Sequence, residues 1–331
     1  MQPSEGGLSG GTGSNTVKIV YLDQNKWIEL ARARHGKLSD VPLGEALAFI
    51  RHASASGTHV FPLSAIHYME TARISGGSRA RLGSVMWELS GGHTLASFRL
   101  SLVRELEDAL TKRFPQVVPR PLNLIGSGAA HAFGNAFRTY DLPEPYRSRL
   151  PPYLVEQIER VLRAMMEEAI LTGVGPRGVT MVPFRITEQN LQFMNHLATL
   201  HADISRLPRD RWEDALYAMS LSDIQEPLNE VLEYHGLTSA DLERLGRDGL
   251  RAFVDDLPSR RVDLHLHRQV LRNPALVPKR TDLEDWGGLG PAAAHCDVLV
   301  CERHFASLLR RDGFRPRAEV LTDVRALPRL P

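Results

Sequence analysis

Residues 17–22 are apolar on both faces of an extended repeat, the pattern of a strand buried in a parallel sheet. The period then changes. Trp27, Leu30, Ala31 and Arg34 share one side of a helix predicted over 24–35, and Gly36 supplies its stop. Leu43, Leu47 and Ile50 mark a second helix at helical spacing. Gly57 precedes a short strand over 59–63, and Ser64 can cap a helix that runs to about residue 74. A β-α-α-β-α order of this kind reads as α/β with a parallel sheet.

Between 78 and 279 helical patterns take over, at 79–90, 96–114, 151–172, 187–205, 209–235, 239–255 and 261–272. Residues 179–184 are the best strand candidate there, and Pro-rich joints at 115–121, 142–152 and 274–278 punctuate the region. The α/β texture returns with a helix over 282–295, a strand over 298–301, a helix over 303–311 and a strand over 318–321. The expected organisation is a core drawn from both parts of the chain, 17–77 and 280–331, with a helical insertion over 78–279. Residues 1–16 are Gly/Ser-rich without an apolar stretch and read as a disordered tail rather than a signal peptide.

Composition narrows the picture only modestly. The 331 residues are 43% hydrophobic and 24% charged, ordinary for a globular chain that needs no staples. A formal net charge of +1 gives no global pull toward nucleic acid or membrane, so any basic surface must be local. No run of 18 apolar residues predicts a membrane span. Cys296 and Cys301 flank one strand on opposite faces, which argues against a bridge and for a reducing, cytoplasmic setting.

Candidate chemistry lies in four carboxylates beside the ends of core elements. Asp23 follows the first strand, Glu302 follows a late one, and ligands in open parallel sheets sit beyond such strand ends. Glu70 interrupts an apolar helix stripe between Ile66 and Ile74, a costly place for a carboxylate without a partner. Asp285 opens a late helix, where the helix dipole favours negative charge. Each has a bland counterpart: Asp23 as a helix cap, Glu70 paired with Arg73, Asp285 as first-turn electrostatics, Glu302 as an ordinary first-turn glutamate. Together they suggest a site for a divalent cation that prefers carboxylate oxygens, Mg²⁺ or Mn²⁺.

The segment Ile19-Val20-Tyr21-Leu22-Asp23-Gln24-Asn25 resembles the opening of the PIN-domain nuclease superfamily. Phe61-Pro62-Leu63-Ser64 through Glu70 is similar to that family's second strand and glutamate-bearing helix, and Asp282-Leu283-Glu284-Asp285 and His295 through Phe305 to its later acidic motifs. The resemblance covers about a third of the chain. It implies a Rossmann-like three-layer α/β/α core and two-metal hydrolysis of phosphodiesters, usually in RNA. It also implies metal-ligand roles for Asp23, Glu70, Asp285 and Glu302, and a loop-organising role for Asn25. Gln24 stands where Thr or Ser is usual, and Glu302 where Asp is common. The insertion far exceeds the family's usual spacing.

Other signals are weaker. Residues 173–178 match GxGxxG literally, but follow a helix and precede a strand, the reverse of a dinucleotide site. Gly126-Ser127-Gly128 reads as a turn, and His265 and His267 cannot share a helix face to hold zinc. From 259 to 280, Arg260, Arg261, Arg268, Arg272, Lys279 and Arg280 stand against one acid, Asp263. That stretch is either a solvated face or a phosphate-contacting rim for nucleic acid, RNA rather than DNA. The expectation is thus a metal-dependent ribonuclease, with the insertion available for a protein partner or a second copy of the chain. The alternatives are a catalytically silent module with an RNA- or protein-binding scaffold, or the effector of a bacterial toxin or defence system.

Overall fold

The computed structural model describes residues 17–38, 40–134, 142–175, 203–273 and 280–330, with only the backbone course over 280–285. The expected tail over 1–16, the strand at 179–184, most of the helix at 187–205 and Lys279 lie outside the described residues.

The chain opens with β1 (Lys18–Leu22), α1 (Gln24–Arg34), α2 (Val41–Ala55), β2 (His59–Val60), α3 (Ala65–Arg73) and α4 (Gly76–Ser90). Then come β3 (His93–Leu95), α5 (Phe98–Thr111), β4 (Ile125–Ser127), α6 (Gly128–Phe133), α7 (Glu144–Arg147) and α8 (Pro152–Thr172). The later helices are α9 (Trp212–Asp223), α10 (Gln225–Tyr234), α11 (Ser239–Glu243), α12 (Gly246–Asp255), α13 (Pro258–Arg272) and α14 (Arg280–His295). Then follow β5 (Val298–Val300), α15 (Arg303–Arg310) and β6 (Glu319–Leu321), and a 3-10 helix (Val324–Arg329) closes the described chain.

The protein is mostly helical around a small parallel sheet of order β2-β1-β5-β6. Val20, Leu22, Val298 and Val300 point into one apolar cluster, while Tyr21 and Leu299 point into another on the opposite face. That two-sided burial is what the uninterrupted apolar run of β1 encodes.

Three features depart from the expected organisation. First, β3 and β4 form an antiparallel pair that the sequence reading did not include, so Gly126 and Ser127 are strand rather than turn. The pair docks beside Leu63, whose N–H donates to His93 O and whose carbonyl accepts from Leu95 N–H. Second, the packing of the core does not stop at residue 77. Leu82, Met86, Ala129 and Leu171 join the same cluster as β1. At the crossing of α4 and α8 a Cβ on Gly83 would meet the Leu171 carbonyl carbon at 2.6 Å. Arg79 then closes the end of α8 with donations to Ile170 O and Leu171 O at 2.7 and 3.2 Å. Third, the helix expected over 209–235 breaks at the buried Ile224. Pro227 has no N–H to give to the preceding turn, which accounts for the interruption. The helix expected over 239–255 divides likewise at Gly246, whose φ is +66°.

Between them, α9 to α13 and α5 build a separate apolar cluster containing Leu106, Leu216, Val231, Phe253 and Leu264. No described helix is long and apolar enough to cross a membrane.

Candidate functional site

The end of β1 is tied to two neighbouring elements, β5 and α3. Asp23 N–H donates to Val300 O at 2.9 Å, which ties its backbone to the end of β5. Just before it, Leu22 O accepts from His67 Nε2 at 2.8 Å. The other ring nitrogen, Nδ1, accepts the backbone N–H of Ser64 at 2.9 Å, so the Nε2–H tautomer is fixed by its partners. Ser64 Oγ in turn pairs with Tyr21 Oη at 2.8 Å. His67 therefore joins the end of β1 to the cap of α3, the helix that carries Glu70. Burial pushes its pKa down to about 4 and keeps it neutral.

The sequence reading overlooked His67, Tyr21 and Ser64 as a unit. Ser64 was legible as a cap, but His67 occupies the third helical position, where the usual capping box has Glu or Gln.

Asp23 is 9% exposed. Burial pushes its carboxyl up to about 6, the backbone N–H of Gln24 pulls it back, and the Glu302 charge pushes it up again. Lys26 offsets this in part, while its own Nζ donates to Thr322 O at 2.9 Å beyond the end of β6. Glu302 occupies the N-cap position of α15 without a side-chain capping bond, and Asn25 Nδ2 donates to its Oε1. Both residues are exposed. Glu70 is half-buried on α3; burial raises the Tyr21 hydroxyl, and the charges of Asp23 and Glu70 add to that rise.

Asp23, Asn25 and Glu302 are thus brought together at the C-terminal ends of β1 and β5, with Glu70 within electrostatic reach of the same tyrosine. Asp285 lies on α14 three residues before Gly288, where a Cβ would meet Ile66 at 3.1 Å and Tyr21 Oη at 3.4 Å. The Asp285 side chain is outside the described residues, as are those of Asp282 and Arg280. Among the described residues no three His, Cys, Asp or Glu side chains form a ready-made cation cage.

Asp297 has a different place. It immediately precedes β5, accepts Ile19 N–H at 2.8 Å and pairs with Arg317 at 3.1 Å. It serves strand pairing at the far end of the sheet. Cys296 and Cys301 are free and buried, and burial pushes the Cys301 thiol up to about 12, so neither is a nucleophile at neutral pH.

The basic stretch expected to form a rim is mostly spoken for. Arg268 forks onto Glu213 of α9 through Nε and Nη2, at 3.0 and 2.8 Å. Arg272 donates to Asp312 at 2.6 Å. Arg260 is 8% exposed, 3.3 Å from Asp263 and 3.9 Å from Asp223, with its guanidinium 5.3 Å from the centre of the Phe98 ring. Counting charge along 259–280 missed these partners because Glu213, Asp223 and Asp312 come from distant parts of the chain. Arg261 is the member of the described set that remains exposed without a carboxylate partner among the described residues.

Comparison with protein-family models, with curated proteins and with solved structures returned no match.

Proposed function

We propose that the chain is a metal-dependent nuclease with a PIN-like, Rossmann-type core, hydrolysing phosphodiester bonds in single-stranded RNA. The observation that carries this reading is Asp23. It is a nearly buried carboxyl with a raised pKa, set beside a second carboxylate at the C-terminal ends of two adjacent parallel strands. A buried carboxylate beside a second negative charge is unfavourable unless a proton or a cation joins it. All-oxygen donors of this kind suit Mg²⁺ or Mn²⁺ and not zinc or a redox metal.

In this reading Asp23, Glu70, Asp285 and Glu302 would hold the cation, and Asn25 orients Glu302 through its amide. The bound cation would supply charge to activate a water and to steady the leaving oxygen. The protein's own part is to fix the carboxylates on strand ends and helix turns that cannot shift independently. His67 does this for Asp23 and α3 at once, while Lys26 anchors the first turn of α1 to the segment after β6.

The test is cleavage of an end-labelled single-stranded RNA by the full chain in Mn²⁺. Asp23→Asn should lower the rate by about a hundred-fold or more, the scale on which metal-site changes act, and EDTA should stop it. Mn²⁺ should also raise the melting temperature of the parent protein and not that of the variant. Cleavage that survives both EDTA and Asp23→Asn would overturn the proposal.

A further inference from the structure

At the opposite end of the sheet a cavity of about 660 Å³ opens between α5, α13, the last turn of α14 and the stretch before β6. That is the size range of sites for small organic ligands. Its wall combines apolar side chains, Leu122, Leu124, Val262 and Phe314, with charged ones. Five cations line it, Arg104, Lys112, Arg261, Arg315 and Arg317, against the three carboxylates Glu105, Asp108 and Asp256. Leaving His295 aside, the surplus is two positive charges.

The charges divide into those already paired and those still available. Arg104 holds Asp108 at 2.9 Å, Lys112 holds Asp256 at 2.6 Å, and Arg317 holds Asp297 at 3.1 Å. Glu105 accepts Ser259 N–H and Oγ–H on one oxygen and His295 Nε2 on the other, at 3.1, 2.8 and 2.6 Å. Arg261 and Arg315 are exposed and have no carboxylate partner among the described residues. Ser101, also on the wall, is 3% exposed, and its Oγ has no hydrogen-bond partner among the described residues. A buried hydroxyl left unpaired costs about 1–3 kcal/mol, so its presence on a cavity wall points to a group that arrives from outside.

We propose that this cavity binds a small organic phosphate of mononucleotide size. Arg261 and Arg315 take the phosphate, for which the guanidinium fork is suited. Ser101 bonds a polar group further along the ligand. The planar part lies against the Leu124 and Phe314 wall. One face of Phe314 is already stacked on His265 at 4.2 Å, which fixes the ring's orientation. The site is separate from the acidic one, since Asp297 and Asp23 mark opposite ends of the sheet.

The experiment is calorimetric titration of the full chain with 5′-AMP in EDTA, so that no metal-held phosphate contributes. 5′-AMP should bind at least about tenfold more tightly than adenosine and than inorganic phosphate. Arg261→Gln and Arg315→Gln should each weaken it by about tenfold, the cost of one charged hydrogen bond. Ser101→Ala should weaken it several-fold, and Arg160→Gln, on the exposed face of α8, should leave it unchanged. Failure of 5′-AMP to bind at millimolar concentration overturns the proposal. So does binding that neither arginine variant weakens, and inorganic phosphate binding as tightly as 5′-AMP removes the organic ligand from it.

Discussion

At the C-terminal end of the parallel sheet carboxylates face carboxylates; at the N-terminal end Asp297 and Glu105 each meet a donor. Asp23 lies beside Glu302, and both Asp23 and Glu70 bear on Tyr21. Asp297, in contrast, has Ile19 N–H and Arg317, and Glu105 has Ser259 and His295. At the N-terminal end the charges that keep no carboxylate partner among the described residues are positive, Arg261 and Arg315. A charge that the fold has already answered explains stability; a charge it has left unanswered marks where a ligand of opposite sign belongs.

The largest effect is expected from removing the strut of the acidic end without touching a carboxylate. His67→Leu takes away both ring bonds and leaves Ser64 N–H and Leu22 C=O buried without partners. The expected loss is about 3 kcal/mol or more in urea unfolding. A loss below about 1 kcal/mol would mean that the end of β1 is held by strand pairing alone.

The next effect has the opposite sign. The raised Asp23 pKa means that its contribution to stability is complete below about pH 4 and is lost as pH rises through about 6. Asp23→Asn should therefore stabilise the metal-free protein at pH 7, by up to about 3 kcal/mol. His67 works the other way in the same window. Its folded pKa of about 4 lies below its ordinary value, so its contribution is present above about pH 6.5 and lost as pH falls through about 4. In the parent protein the two slopes partly cancel. In Asp23→Asn the curve between pH 4 and 6.5 should tilt upward relative to the parent. An unchanged tilt would show that Asp23 is fully compensated and that the two ends of the sheet do not differ.

The smallest effect tests the paired cations. Arg268→Met breaks a fork onto a partly exposed glutamate and should cost about 1 kcal/mol. The salt dependence of RNA binding, measured on the same variant, should not change, because that guanidinium is already occupied. A salt slope that falls by about one unit would return Arg268 to the nucleic-acid surface.

How much of this was legible in sequence depended on how local the cause was. β1 and β5 could be read because apolar residues on both faces are a property of the segment itself, and the strand ends carried Asp23 and Glu302 with them. β3 and β4 could not. Each has three residues, and His93-Thr94-Leu95 becomes strand only because Leu63 and β4 offer their backbone groups. Arg268 and Arg272 looked like free charge because their partners, Glu213 and Asp312, lie tens of residues away in the chain. The helix break at Ile224 was within reach, since Pro227 is visible in the sequence, but the apolar spacing on either side outweighed it.

The order of the sheet also has a consequence for how the molecule is made. β1 is an inner strand, and Ile19 bonds to Asp297, 278 residues further along. At about 5–20 residues per second, a growing chain carries β1 for roughly 14–60 s with its second edge unpaired. Closing a loop that long is slow on top of the wait. Asp23 and Glu70 therefore leave the ribosome long before Glu302, and the acidic end of the sheet is assembled from an early and a late part of the chain, joined when β5 pairs with β1.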